Sequence, residues 1–240
     1  MMKRRVFLGA GLAAPLAGRN WEREAFPDWT DEHVDKLLTD SPWARPVTLP
    51  FRFSTPGRGG QPFAQIGEPL GLPKGWPGAG PAKAGPRIED GNAPPVQTEI
   101  YLTMRWATAL PVRQAMALHQ YGRGGLAGAG AVALLRGWET EYVLEIAGFP
   151  VGMVPQGVRR FEAQLAESAT LQVKGRKPLR AASASVPDHG NHLISTLRFA
   201  RYDNLSDSEG FIEFSAQAGP MDIQQKFKLR GMNYKGRLEL

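Results

Sequence analysis

Phe211-Ile212-Glu213-Phe214-Ser215-Ala216-Gln217, a turn at Ala218-Gly219-Pro220, a second run from Ile223 to Arg230, a turn at Gly231 and a last run from Tyr234 to Leu240 decide the fold. Three extended runs separated by two or three turn residues read as a meander. Tight turns permit antiparallel pairing, whereas a parallel sheet needs long crossovers, usually helical. Working upstream, His192 to Tyr202 and residues 169–174 read as further strands, and Tyr142 to Ile146 as another. Ile100, Leu102, Met104 and Trp106 alternate with Tyr101, Thr103 and Arg105, the period of two of a long strand. Short helices are expected from Pro111 to about Tyr121 and from Val158 to Glu167. The fold class is therefore mainly β, an antiparallel β-sandwich or half-barrel with two or three peripheral helices.

Residues 26–53 form a lead-in to this domain. Thr30 precedes Asp31-Glu32-His33 as an N-cap with acids in the first turn, and Val34, Leu37 and Leu38 make an apolar stripe at helical spacing. Trp29 is placed to staple onto Val34. Pro42 ends the helix, Trp43 supplies a large apolar body, and Val47, Leu49, Phe51 and Phe53 alternate around Pro50 as an edge strand. Residues 54–95 hold 10 Gly and 9 Pro in 42 positions, so neither a helix nor a strand can be written across them. The organisation expected is a leader over 1–18, a helix and edge strand over 19–53 packing on the core, a linker or wrapping arm over 54–95, and the antiparallel domain over 96–240. Within the arm, Trp76 is expected to tuck onto the core.

Composition narrows the chemistry. The 240 residues include no cysteine, which removes disulfides, thiolate nucleophiles and Cys-ligated metals. The formal charge of +6 falls to +3 once Lys3, Arg4 and Arg5 are set aside, too little and too thinly spread to argue for nucleic acid. Those three cations precede Val6 to Ala17, an apolar run of signal-peptide length but too short to span a bilayer. Arg4-Arg5, any residue, then Phe7-Leu8 resembles a twin-arginine signal, which implies export of the folded chain, with cleavage expected near Ala17 or Gly18.

Candidate sites are sparse. Gly128-Ala129-Gly130-Ala131-Val132-Ala133 spells a dinucleotide fingerprint, but the preceding Gln120 to Leu126 offers no strand to aim it, so a loop with a short alanine-rich turn is expected. Asp188, His189 and His192 combine a carboxylate with two imidazoles in a turn, a weak metal candidate lacking a third histidine nearby. Asp203, Asp207 and Glu209 read as a solvated hairpin tip. Neither a G-x-S-x-G elbow nor an H-E-x-x-H helix occurs. Lys226, Lys228 and Arg230 alternate with Phe227 and Leu229, and Lys235 and Arg237 are expected on the polar face of the final strand. Five cations would then line one sheet surface and attract an anionic partner, unless they serve to keep sheet edges apart.

Trp29-Thr30, Leu37-Leu38-Thr39-Asp40-Ser41-Pro42-Trp43-Ala44, Arg105-Trp106, Ala109-Leu110-Pro111-Val112-Arg113, Lys226-Phe227-Lys228-Leu229, Tyr234 and Gly236-Arg237-Leu238-Glu239-Leu240 together resemble a family of small exported bacterial proteins with no assigned activity. The resemblance implies secretion and fold and carries no catalytic residue. The expected function is that of a non-enzymatic binding, scaffolding or assembly protein of the cell envelope, periplasmic or extracellular, without a cofactor. Its partner is an envelope protein or anionic polymer. An envelope hydrolase using two carboxylates or a His189/His192 metal site is the alternative.

Overall fold

The computed structural model describes residues 21, 23–52, 97–137, 140–150, 157–189, 192–219 and 221–240. The leader over 1–18 and the Gly/Pro segment over 54–95, with Trp76, lie outside the described residues. Eight strands form one continuous antiparallel sheet: β1 (Ala44–Arg52), β2 (Gln97–Trp106), β3 (Glu141–Pro150), β7 (His192–Ala200), β5 (Leu179–Ser185), β4 (Thr170–Val173), β8 (Phe211–Ala218) and β9 (Met221–Lys228), in that spatial order. A short β6 (Asp188–His189) pairs with the start of β7. The first and last strands, β1 and β9, approach one another, so the sheet curls into a near-barrel. Four helices accompany it among the described residues: α1 (Asp31–Thr39), α2 (Leu110–Tyr121), α3 (Ala129–Arg136) and α4 (Val158–Ser168).

The period of two places the core. Ile100, Leu102, Met104 and Trp106 of β2 are buried, as are Tyr142, Leu144 and Ile146 of β3, Leu197 and Phe199 of β7, Ile212 and Phe214 of β8, and Ile223 and Phe227 of β9. Trp106 packs edge-on against Tyr142 and Phe227 at centroid distances of 5.6 and 5.5 Å, an arrangement the ring quadrupoles favour. Bulky side chains thus fill the space inside the sheet, as in small barrels. Gly148 makes the curl possible. It sits in a bulge between Ala147 and Phe149 with φ +107°, and a Cβ there would lie 2.5 Å from the Tyr101 carbonyl oxygen.

The turn from α1 into β1 explains the Ser41-Pro42-Trp43-Ala44 sequence. Ser41 Oγ donates to the Leu37 carbonyl and accepts from the amides of Trp43 and Ala44, closing the helix end and starting the strand with one hydroxyl. Trp43, fully buried, then enters an aromatic cluster with Trp21, Trp29 and Tyr234, ring centroids 5.6–6.5 Å apart.

Three expectations need correction. The final run is not a strand of the main sheet. β9 stops at Lys228, Leu229–Gly231 form a 3-10 turn, and a separate hairpin follows, β10 (Asn233–Tyr234) with β11 (Arg237–Leu238). Lys235 and Gly236, at φ 50° and 77°, make its two-residue turn, the geometry that suits the right-handed strand twist. Residues 129–136 form α3 rather than a loop, with Gly128 at its N-cap and α2, not a strand, before it. Finally, the turn carrying Glu209 is not simply solvated. Glu209 forms a two-pronged ion pair with Arg176 at 2.5 and 2.6 Å, and Arg176 also donates to the carbonyls of Asp203 and Asn204.

Candidate functional site

β9 alternates Met221, Ile223 and Phe227 inward with Asp222, Gln224, Lys226 and Lys228 outward. Because Lys228 ends the strand, the following cation, Arg230, stands on the 3-10 turn, and Lys235 and Arg237 stand at the tip of the β10–β11 hairpin. The five cations therefore do not share one sheet face: two lie on β9, one on a turn and two on a separate ribbon. All five are exposed. Lys226 is the most engaged, 3.5 Å from Glu213 on the neighbouring β8 and 4.9 Å from the Phe211 ring centroid. Lys235 lies 5.2 Å from the Tyr234 ring centroid, a cation–π contact. No ion pair ties Lys228, Arg230, Lys235 or Arg237 among the described residues. Asp207 accepts from the Asn233 side-chain amide at 2.8 Å.

The hairpin is held rigidly from behind. Tyr234 Oη donates to Gln114 Oε1 of α2 at 3.0 Å, and the Glu239 amide donates to the Met232 carbonyl. Glu239 then reaches two distant parts of the chain. Its carbonyl accepts from Trp43 Nε1 at 2.8 Å, and its carboxylate accepts from the Leu110 amide at 3.1 Å. The second contact places a negative charge at the N-terminus of α2, whose own N-cap, Ala109, has no side-chain oxygen to offer. Arg201 donates to the Leu240 carbonyl. These anchors hold the ribbon carrying Lys235 and Arg237 against the body.

The other candidates fall elsewhere. Asp188, His189 and His192 belong to the β6–β7 hairpin, in which His189 and His192 are paired across the strands, but their side chains lie outside the described residues. Among the described residues no group of three His, Asp or Glu side chains is placed to hold a metal ion. His33 lies 3.5 Å from Glu24, and His119 lines a cleft of about 190 Å³ between α1 and α2 with Asp31, Val34, Asp35, Leu118 and Arg123. Two ion pairs stand on β2, β3 and β7: Arg105–Glu145 at 2.7 Å, nearly buried, and Arg198–Glu141 at 3.0 Å. The Arg176 guanidinium holds the Glu209 carboxyl below its usual value, with the Ser206 amide assisting. Sequence reasoning missed that corner and the Glu239 cap because both join residues far apart in the chain.

No family model matches the chain, no curated protein matches it, and no solved structure matches it. Among the described residues no helix is long and apolar enough to cross a membrane.

Proposed function

We propose that the protein is an exported, non-enzymatic binding or assembly component of the bacterial cell envelope, and that it meets an anionic partner through Lys228, Arg230, Lys235 and Arg237. The observation that carries this reading is the display of four exposed cations, without carboxylate partners among the described residues, on a strand end, a turn and a braced hairpin. A braced hairpin backbone loses little entropy when an anion arrives, so the attraction of its cations is converted into affinity. A barrel filled with aromatic side chains agrees with work done at the surface. The resemblance to a twin-arginine signal at Arg4-Arg5 supplies the expectation of export.

The test compares two sets of charge removals on heparin, a soluble anionic polymer. Lys228→Gln, Arg230→Gln, Lys235→Gln and Arg237→Gln together are expected to weaken binding about a hundredfold at moderate salt, several contacts being lost at once. Arg159→Gln, Arg160→Gln and Arg180→Gln, exposed cations on α4 and β5, are expected to change it less than about threefold. Equal losses in both sets would reduce the effect to net charge and sink the assignment. For export, Arg4→Lys with Arg5→Lys is expected to leave the protein in the cytosolic fraction. An unchanged distribution would remove that half of the reading.

A further inference from the structure

Trp21 lies where the expected leader would meet the folded body. Its ring is 3% exposed and sits 5.6–5.9 Å, centroid to centroid, from the rings of Trp29, Trp43 and Tyr234. The backbone is held too: Trp29 Nε1 donates to the Trp21 carbonyl at 2.8 Å in a buried bond. The stretch that follows is fastened as well. Glu24 lies 3.5 Å from His33 of α1, the Asp28 amide donates to the Ala25 carbonyl, and Arg123, just beyond α2, donates to the carbonyls of Pro27 and Trp29 at 3.1 and 2.5 Å.

The expected cut is close to this anchor. Ala17 and Trp21 are four residues apart, so even a fully extended chain separates them by no more than about 14 Å. A protease takes its substrate as an extended strand, with several residues on each side of the bond and their main-chain groups free to pair. A cleft seated near Ala17 or Gly18 therefore reaches Trp21 or the body around it, where the carbonyl is already bonded and the ring is packed on three others. A route that carries unfolded chains meets no such conflict, because the cluster forms afterwards. The resemblance at Arg4-Arg5 implies the opposite order, a body folded before it meets the peptidase.

We propose that docking of Trp21 in the aromatic cluster gates removal of the leader: the folded chain keeps residues 1–18 until Trp21 leaves the cluster, and the cut is made on the undocked form. The inference rests on the reading of 1–18 as an export leader and adds the step that decides when it is lost. The rate of cutting then follows the population of the open form, as at any bond that is exposed by local unfolding. While the gate is closed, the body carries the apolar run 6–17 with it.

The test gives three substrates to a purified membrane leader peptidase in mild detergent and follows them by intact mass. They are a synthetic peptide of residues 1–24, the folded full chain, and the full chain with about eight Gly and Ser residues inserted after Asn20. The insertion leaves the cut site and Trp21 as they are and moves them apart. The peptide and the spaced chain are expected to be cut at similar rates, and the folded chain at least about thirtyfold more slowly. Trp21→Ala in the full chain is expected to recover most of that factor. The spaced chain, expected to melt within a few degrees of the natural one, keeps the result independent of any stability that Trp21→Ala loses. Equal rates for the peptide and the folded chain, or a spacer without effect, would overturn the gate and leave the leader reading standing. A peptide that is not cut at all would remove the leader and the gate together.

Discussion

β1 and β9 end the same sheet, and along the edges that pair with no further strand among the described residues they carry different devices. On β1, Pro46 and Pro50 stand opposite Thr103 and Glu99. Proline has no N–H to donate, and positions of that parity turn their nitrogens away from β2, so the donors at 46 and 50 are missing from the outer side. β9 keeps its donors and instead carries Lys226 and Lys228, whose charges an incoming strand would have to desolvate. The proline device works at any ionic strength, whereas the lysine device weakens with salt. One edge is closed by covalent chemistry, and the other is held open by charge that a partner of opposite sign can use.

The largest expected effect comes from detaching β1. Trp43→Ala removes a fully buried ring and its bond to the Glu239 carbonyl, and is expected to cost about 3–5 kcal/mol by chemical denaturation, loosening β1 against β9. A loss under about 1 kcal/mol would mean that the cluster does not fasten this edge. Next, Glu239→Ala leaves the backbone bond to Trp43 in place but uncaps α2, and is expected to cost about 1–2 kcal/mol, measured in the same way. Pro46→Thr with Pro50→Thr restores two donors to β1. Stability is expected to stay within about 1 kcal/mol, while sedimentation velocity shows dimers or larger species at every salt concentration. In Lys226→Gln with Lys228→Gln, by contrast, association gained should vary little with salt, because the screened charges are gone. If the proline variant stays monomeric, its edge is protected by something other than missing donors.

The smallest effect lies in acid, at the turn leading into β8. The Glu209 carboxyl is held below its usual value, 4.5, when folded, chiefly by hydrogen bonding to Arg176. Its contribution to stability is therefore complete above that value and is lost as the pH falls through the depressed one. Melting temperature followed from about pH 6 to about pH 2 should fall less steeply in Glu209→Gln than in the natural chain. Parallel curves would show that other carboxylates dominate acid unfolding.

How far the sequence could be read depended on the distance over which residues act. β2, β8 and β9 declare themselves because alternation is local: Trp106, Met104, Leu102 and Ile100 all point one way. β5 was missed for a physical reason. Leu179-Arg180-Ala181-Ala182-Ser183-Ala184-Ser185 has one large apolar side chain, and a bulge between Ala181 and Ser183 breaks its alternation. α3 hid behind its glycines and alanines, whose propensities in a Gly-rich stretch read as a loop until Arg113 and Arg123 clamp the unit. The cations were legible as residues but not as a surface, because the φ values of Lys235 and Gly236 turn the last run away from the sheet. The roles of Glu239 involve partners 129 and 196 residues away, beyond the reach of any pattern in the chain.

That last span sets the timing of folding. Trp43 emerges from the ribosome early and must wait for Glu239 to be synthesised, on the order of 10–40 s at ordinary elongation rates. Until then the aromatic cluster lacks Tyr234, and Trp43 lacks the acceptor for its indole N–H. Docking of the β10–β11 hairpin is thus a late step, separated from the synthesis of Trp43 by 196 residues.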